Sequence, residues 1–163
     1  MTGPKDVIVA QMQTSQFLFE KLTSDLTDAE YFRAPVSGAN HAGWIFGHIA
    51  CAEDWVSSLL GGSRMRIPDS THALFKSGSV CHSDAARYPA RKKLDELFRD
   101  SRAHALEALK SFDAARWNEP NPKGADGPFP TLGALCGLLG FHPFWHIGQL
   151  TVCRAAMGKP RVL

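Results

Sequence analysis

The sequence predicts an all-α protein, a four-helix bundle formed by one domain over residues 1–163. Three observations lead there. Four long segments repeat apolar residues at alternating intervals of three and four, the spacing that keeps one stripe of a helix facing inward. No stretch sustains the apolar-polar alternation of a half-buried strand, and there is no internal repeat. A chain of 163 residues can also bury about two-thirds of its unfolded surface without crosslinks.

The first helix runs from about Pro4 to Leu26 on the stripe Ile8, Met12, Ser15, Phe19, Leu22 and Leu26. Thr27 and Glu30 then have the spacing of a capping box for a short helical turn, which Pro35 and Gly38 close. Asn40 is the expected N-cap of a second long helix, HAGWIFGHIACAEDWVSSLL, stopped by Gly61 and Gly62 in a left-handed cap. The third lies between Arg91 and Phe112, with Leu94, Phe98, Ser101, Ala105, Ala108 and Phe112 inside and Arg and Lys paired with Asp and Glu outside. The last begins near Thr131 and ends at Gly158, a residue free to take positive φ. The connections 62–90 and 113–130 are longer than most in a compact domain. Such loops serve either as lids or rims of binding sites or as plain surface connections.

Composition excludes several classes. Charged residues make up 21% and the net charge is +2, too weak a field to hold a phosphate backbone or an anionic membrane. Cys51, Cys81, Cys136 and Cys153 form no C-x-x-C pair and fit reduced thiols. The first residues lack a basic segment followed by an apolar run, and the longest apolar stretch, Leu132 to Phe141, is about half a membrane span. The expectation is a cytoplasmic protein with no nucleic-acid or membrane partner. There is no H-E-x-x-H, no Glu-x-x-His pair, no G-x-x-x-x-G-K-[ST] loop and no G-x-S-x-G elbow.

The chemistry concentrates in FHPFWHIGQL, residues 141–150. On a helix His142 and His146 stand about 6 Å apart along the axis and about 40° apart around it, so both rings face the same way. One helix can thereby offer two imidazoles to a single cation. His48, in the middle of the second long helix, is the candidate third ligand. For His48 alone, a hydrogen-bonded core side chain is the favoured reading. For the pair, a shared cation offsets both the desolvation of two buried rings and their repulsion when protonated. Pro143 removes one helical hydrogen bond, at a cost of about 3 kcal/mol if nothing relaxes, and predicts a bend. His41, two turns before His48, is expected to be solvated or to line an entrance. His72 and His82 fall in the first long loop as surface residues able to close over a ligand, and His104 borders the third stripe. Gln149 and Arg154 are spaced to orient a ring or hold an anion, or to pack. Cys153 is a soft extra ligand or a small core side chain.

Two segments resemble the DinB-like superfamily. NHAGWIFGHIACAE is similar to its second-helix signature, an asparagine, a tryptophan and then a metal-binding histidine one turn on. HPFWHIGQLTVCRAAMGKP resembles its last-helix signature, a histidine pair four apart followed by glycine, glutamine, arginine and a closing glycine. Pro143 departs from the pattern, since many relatives carry a helix former there. The resemblance implies an up-down-down-up four-helix bundle, a homodimer, and a divalent zinc, nickel or iron ion on His48, His142 and His146. It implies a metal-dependent enzyme, a thiol-dependent S-transferase or isomerase acting on a small molecule with a low-molecular-weight thiol. Three neutral ligands also leave a position that water can fill, which admits a hydrolase. Two other classes stay open: a non-catalytic module that binds a metal or small molecule, and a metal-free interaction bundle whose histidines merely pack.

Overall fold

A computed structural model describes residues 3–61 and 65–162, and among these the regular elements are helical. They comprise α1 (Pro4–Thr23), α2 (Asp28–Tyr31), α3 (Ala42–Gly61), α4 (Asp69–Phe75), α5 (Arg91–Ser111) and α6 (Leu132–Ala156). The long helices α1, α3, α5 and α6 are the four that the apolar stripes predict.

Contacts along these helices set their directions. On α1 and α6, Gln11 lies beside Gly140 and the Leu22 carbonyl accepts from Arg154, so the two run parallel. Lys5 at the start of α1 reaches the Phe112 carbonyl just past α5, while Arg91 at the start of α5 reaches the Thr23 carbonyl at the end of α1. α5 is therefore antiparallel to α1. Asn40, just ahead of α3, meets Gln149 and Cys153 late on α6, which makes α3 antiparallel to α6. The bundle is up-down-down-up, with α3 packed mainly on α5 and α1 mainly on α6.

The stripe of α1 is buried from Ile8 through Leu22, and Leu26 beyond it is buried too. The Thr27–Glu30 capping box forms as expected, the Thr27 amide donating to the Glu30 carboxylate at 2.8 Å. At the start of α3 the cap differs from expectation. His41 Nδ1, not Asn40, accepts the Trp44 amide at 3.0 Å, while the Asn40 side chain bonds Gln149. Gly61 is the last residue of α3 without positive φ, and Gly62 lies outside the described residues. On α5, Leu109 takes the buried place assigned to Ala108, which is half-buried. α6 stays helical through Pro143, starts from a Thr131 side-chain cap, and is followed by Gly158 at φ 69°.

The outer face assigned to the charges of α5 has one exception. Arg102 turns inward, donating to Glu53 on α3 at 2.9 Å and to Ser15 on α1 at 2.8 Å, with further contact to the Met12 carbonyl. Burial raises the Glu53 carboxyl and the guanidinium opposes that rise. A paired charge at this depth ties three helices together, and losing either partner would strand the other.

The segment 62–90 holds α4 and a 3-10 turn at Ala85–Arg87 and is not a plain loop. Phe75, at the end of α4, is fully buried against Gly47 of α3.

Candidate metal centre

His48 is fixed from two sides. Trp44, one turn earlier on α3, stacks on its ring with centroids 4.7 Å apart and planes within 11°. Its Nδ1 lies 2.7 Å from the Phe75 carbonyl. A carbonyl can only accept, so Nδ1 carries the proton and Nε2 presents its lone pair. This contact depends on Gly47, because any Cβ there would meet the Phe75 ring at 2.5 Å.

His146 is arranged in the same sense. Its Nδ1 lies 3.1 Å from Gln149 Oε1, one turn on, and the Asn40 side-chain amide donates to that same oxygen at 3.3 Å. Two donors meeting one oxygen leave His146 Nε2 unprotonated.

Both lone pairs point at His142. The Nε2 atoms of His48 and His142 are 3.2 Å apart, and those of His146 and His142 are 3.1 Å apart. A proton on His142 Nε2 can serve at most one of these contacts well, so at least one sets two electronegative nitrogens against each other without a good hydrogen bond between them. A cation among them turns that repulsion into three bonds. Imidazole nitrogens on a tetrahedral zinc at about 2.0–2.1 Å lie about 3.3 Å apart, which is close to the spacing here. The donor set therefore fits a divalent ion, and the carbonyl and amide behind two of the rings are the outer partners that metal-ligating histidines use.

Burial keeps the rings in the form that ligates. It lowers His48 and pushes His142 down to about 3, with His146 and His48 adding repulsion. His146 goes down to about 4 through burial and then His48, against the Gln149 contact. Neutral imidazole is the ligand form.

His48 and His142 line a cleft of about 550 Å³. Trp55, Phe75, Phe129, Leu138 and Trp145 supply much of its wall, so both long connections contribute, through Phe75 and Phe129. The first is anchored by Asp54, almost fully buried on α3, whose carboxylate accepts the Arg66 and Ile67 amides at 3.0 Å. His72 Nε2 stands 3.3 Å from the same carboxylate and its ring also lines the cleft.

The other histidines fall elsewhere. His41 is fully buried, not solvated, because capping α3 and bonding the His82 carbonyl at 3.1 Å use both its nitrogens. His82 meets Arg87 and Tyr88, away from the cleft lining, and half-buried His104 is outside the three-histidine cluster. Arg154 binds Asp25 and the Leu22 and Pro160 carbonyls, a structural clamp that leaves no anion site. Cys153 donates to the Asn40 carbonyl, its thiol raised to about 11 by burial. Cys51 lines the cleft with its thiol raised to about 12, by burial first and then Asp54. Trp44, Asp54 and Phe75 were missed as supports of the site. A glycine beside His48, within an otherwise apolar helix, was the available signal that another ring comes close.

A helical bundle with three neutral imidazoles converging beside an open cleft fits a metal-binding protein. A sequence model of the DinB superfamily matches residues 11–150, and the chain belongs to that superfamily. Its fold is similar to the crystal structure of a conserved protein from Enterococcus faecalis, with a TM-score of 0.79. The two are 16% identical, and the match covers 98% of this chain and 100% of that one, a likeness of fold alone. No curated protein matches the chain. No helix among the described residues is long and apolar enough to cross a membrane.

Proposed function

We propose that this protein is a cytoplasmic metal-dependent enzyme, with His48, His142 and His146 as ligands of one zinc, nickel or iron ion. Its proposed reaction is transfer of a low-molecular-weight thiol, or of water, to an electrophilic small molecule. The observation that carries this reading is the convergence of three Nε2 atoms, within 3.2 Å along His48–His142–His146, beside a cleft of about 550 Å³. Closed structural sites use four protein ligands, whereas three beside open space leave room for a reactant. Bound there, a divalent ion supplies Lewis acidity and brings the pKa of water or a thiol toward neutrality.

The chain's own residues then have distinct tasks. The Phe75 carbonyl and Gln149 Oε1 hold two ring planes in place. The aromatic walls offer an apolar surface to a bound reactant, and a reactant seated there would displace water from beside the rings. His72, bonded to Asp54 through Nε2, has Nδ1 left to accept the nucleophile's proton. Four free cysteines support a reducing compartment. A second copy of the chain is proposed to cover the outer face of α6, where Phe141, Phe144 and Val152 are exposed and outside the cleft lining.

The test is to incubate tag-free, metal-loaded protein with a panel of thiols and electrophiles. Turnover that disappears in His146→Ala is expected. Saturable binding without turnover would instead support a non-catalytic binding module.

A further inference from the structure

Among the described residues that line the cleft beside the three histidines, Lys76, itself exposed, is the one lysine or arginine, and no carboxylate is among them. Lys76 follows α4 directly, where its amide donates to the His72 carbonyl at 2.9 Å. Its ammonium enters none of the lysine ion pairs among the described residues, which belong to Lys93 and Lys159. Asp54, which holds His72 in the wall, is not among the lining residues, and its oxygens are occupied by the Arg66 and Ile67 amides and by His72. The same cleft is lined by wide apolar side chains, Trp55, Phe129, Leu138 and Trp145.

We infer that the cleft is a subsite for an amphipathic organic anion, with a flat apolar body between the aromatic walls and a carboxylate at Lys76. The volume of about 550 Å³ suits a ligand of ordinary metabolite size. Aromatic walls reward a planar group, and a lysine ammonium outside the ion pairs of the described residues rewards a negative one. An unpaired carboxylate in the wall would favour a cationic ligand, and the described lining residues include none. The inference names the substrate class of the proposed enzyme and rests on that reading for the reacting end of the ligand. The anion preference itself depends on Lys76 and can be measured without metal.

The experiment compares naphthoate with its neutral counterpart naphthylmethanol by calorimetry, in zinc-loaded and chelator-stripped protein. Zinc stoichiometry is determined separately. Stripped wild type should bind naphthoate up to about fivefold more tightly than the alcohol, the ratio an exposed charge pair supplies. Lys76→Ala should erase that preference while leaving zinc uptake unchanged, and Lys76→Arg should keep it. A preference that survives Lys76→Ala, or one present only with zinc bound, would place the carboxylate elsewhere and overturn the subsite. Failure of both probes to bind would overturn it as well. Absence of zinc uptake with the Lys76 effect intact would remove the metal reading and leave the subsite standing.

Discussion

Replacing Gly47 by alanine should reverse the usual sign of that substitution. In an open helical position, glycine to alanine stabilises by about 1 kcal/mol. At Gly47 the new Cβ would lie 2.5 Å from Cδ1 and Cε1 of Phe75 and 2.6 Å from Cγ, so the whole ring must move. Phe75 is fully buried and its backbone holds His48, so it has little room to yield. Overpacking of this kind costs about 1–3 kcal/mol, leaving a net loss of about 1 kcal/mol once the propensity gain is subtracted. For a domain of this size that lowers Tm by about 2–4 °C. Displacing the Phe75 carbonyl should also weaken zinc binding by about 10- to 100-fold, the effect of losing an outer partner of a ligating histidine. Gly137→Ala is the control, because nothing lies within 4 Å of its added Cβ. It should raise Tm and leave zinc affinity alone. Thermal melts and zinc titrations of the two variants decide the matter. A Gly47→Ala protein that melts higher and binds zinc normally would show that Phe75 neither packs there nor orients His48.

Further perturbations probe other parts of the site. Gln149→Leu removes the acceptor at His146 Nδ1 and should cut zinc affinity by about 10- to 100-fold, read by competition with a chromogenic chelator. Arg102→Met strands Glu53 in the core and should cost about 3–5 kcal/mol in urea unfolding; a loss below about 1 kcal/mol would contradict the buried pair. Acidification should destabilise the metal-free protein. In the fold His142 and His146 sit at about 3 and about 4, while unfolded histidine returns to about 6.5, so the unfolded chain takes up protons first. Their contribution is complete above about pH 6.5 and is lost as pH falls from there toward the folded values. The Tm of chelated protein should drop between about pH 7 and pH 5, and a flat profile would count against buried neutral rings. By the same depression, protons should displace bound metal only well below about 6.5, the ordinary histidine value.

Much of the bundle was legible because helical periodicity is a local property. The stripes on α1 and α5 placed Phe19, Met12, Leu94 and Phe98 in the core, and the i, i+4 spacing set His142 and His146 on one face. Long-range geometry was not legible in that way. Nothing near Arg102 announced that its guanidinium would meet Glu53, Ser15 and Met12 on two other helices. His41 looked polar and surface-bound until the fold gave both its nitrogens partners. The supports of the site were hidden for the same reason, since Phe75 O and Asp54 act across separations that only folding closes. Asn40 shows the reverse error. A residue suited to cap α3 was recruited to hold Gln149, and His41 capped the helix in its place.

Elemental analysis of protein purified without a histidine tag or nickel resin, beside X-ray absorption of the same samples, reaches the three converging nitrogens without any assumption about substrate. Wild type should carry about one divalent ion per chain with nitrogen neighbours at about 2.0–2.1 Å, and His146→Ala should lose it. Full metal occupancy in His146→Ala, or a wild type that binds no divalent metal when supplied with it, would contradict a metal centre at His48, His142 and His146.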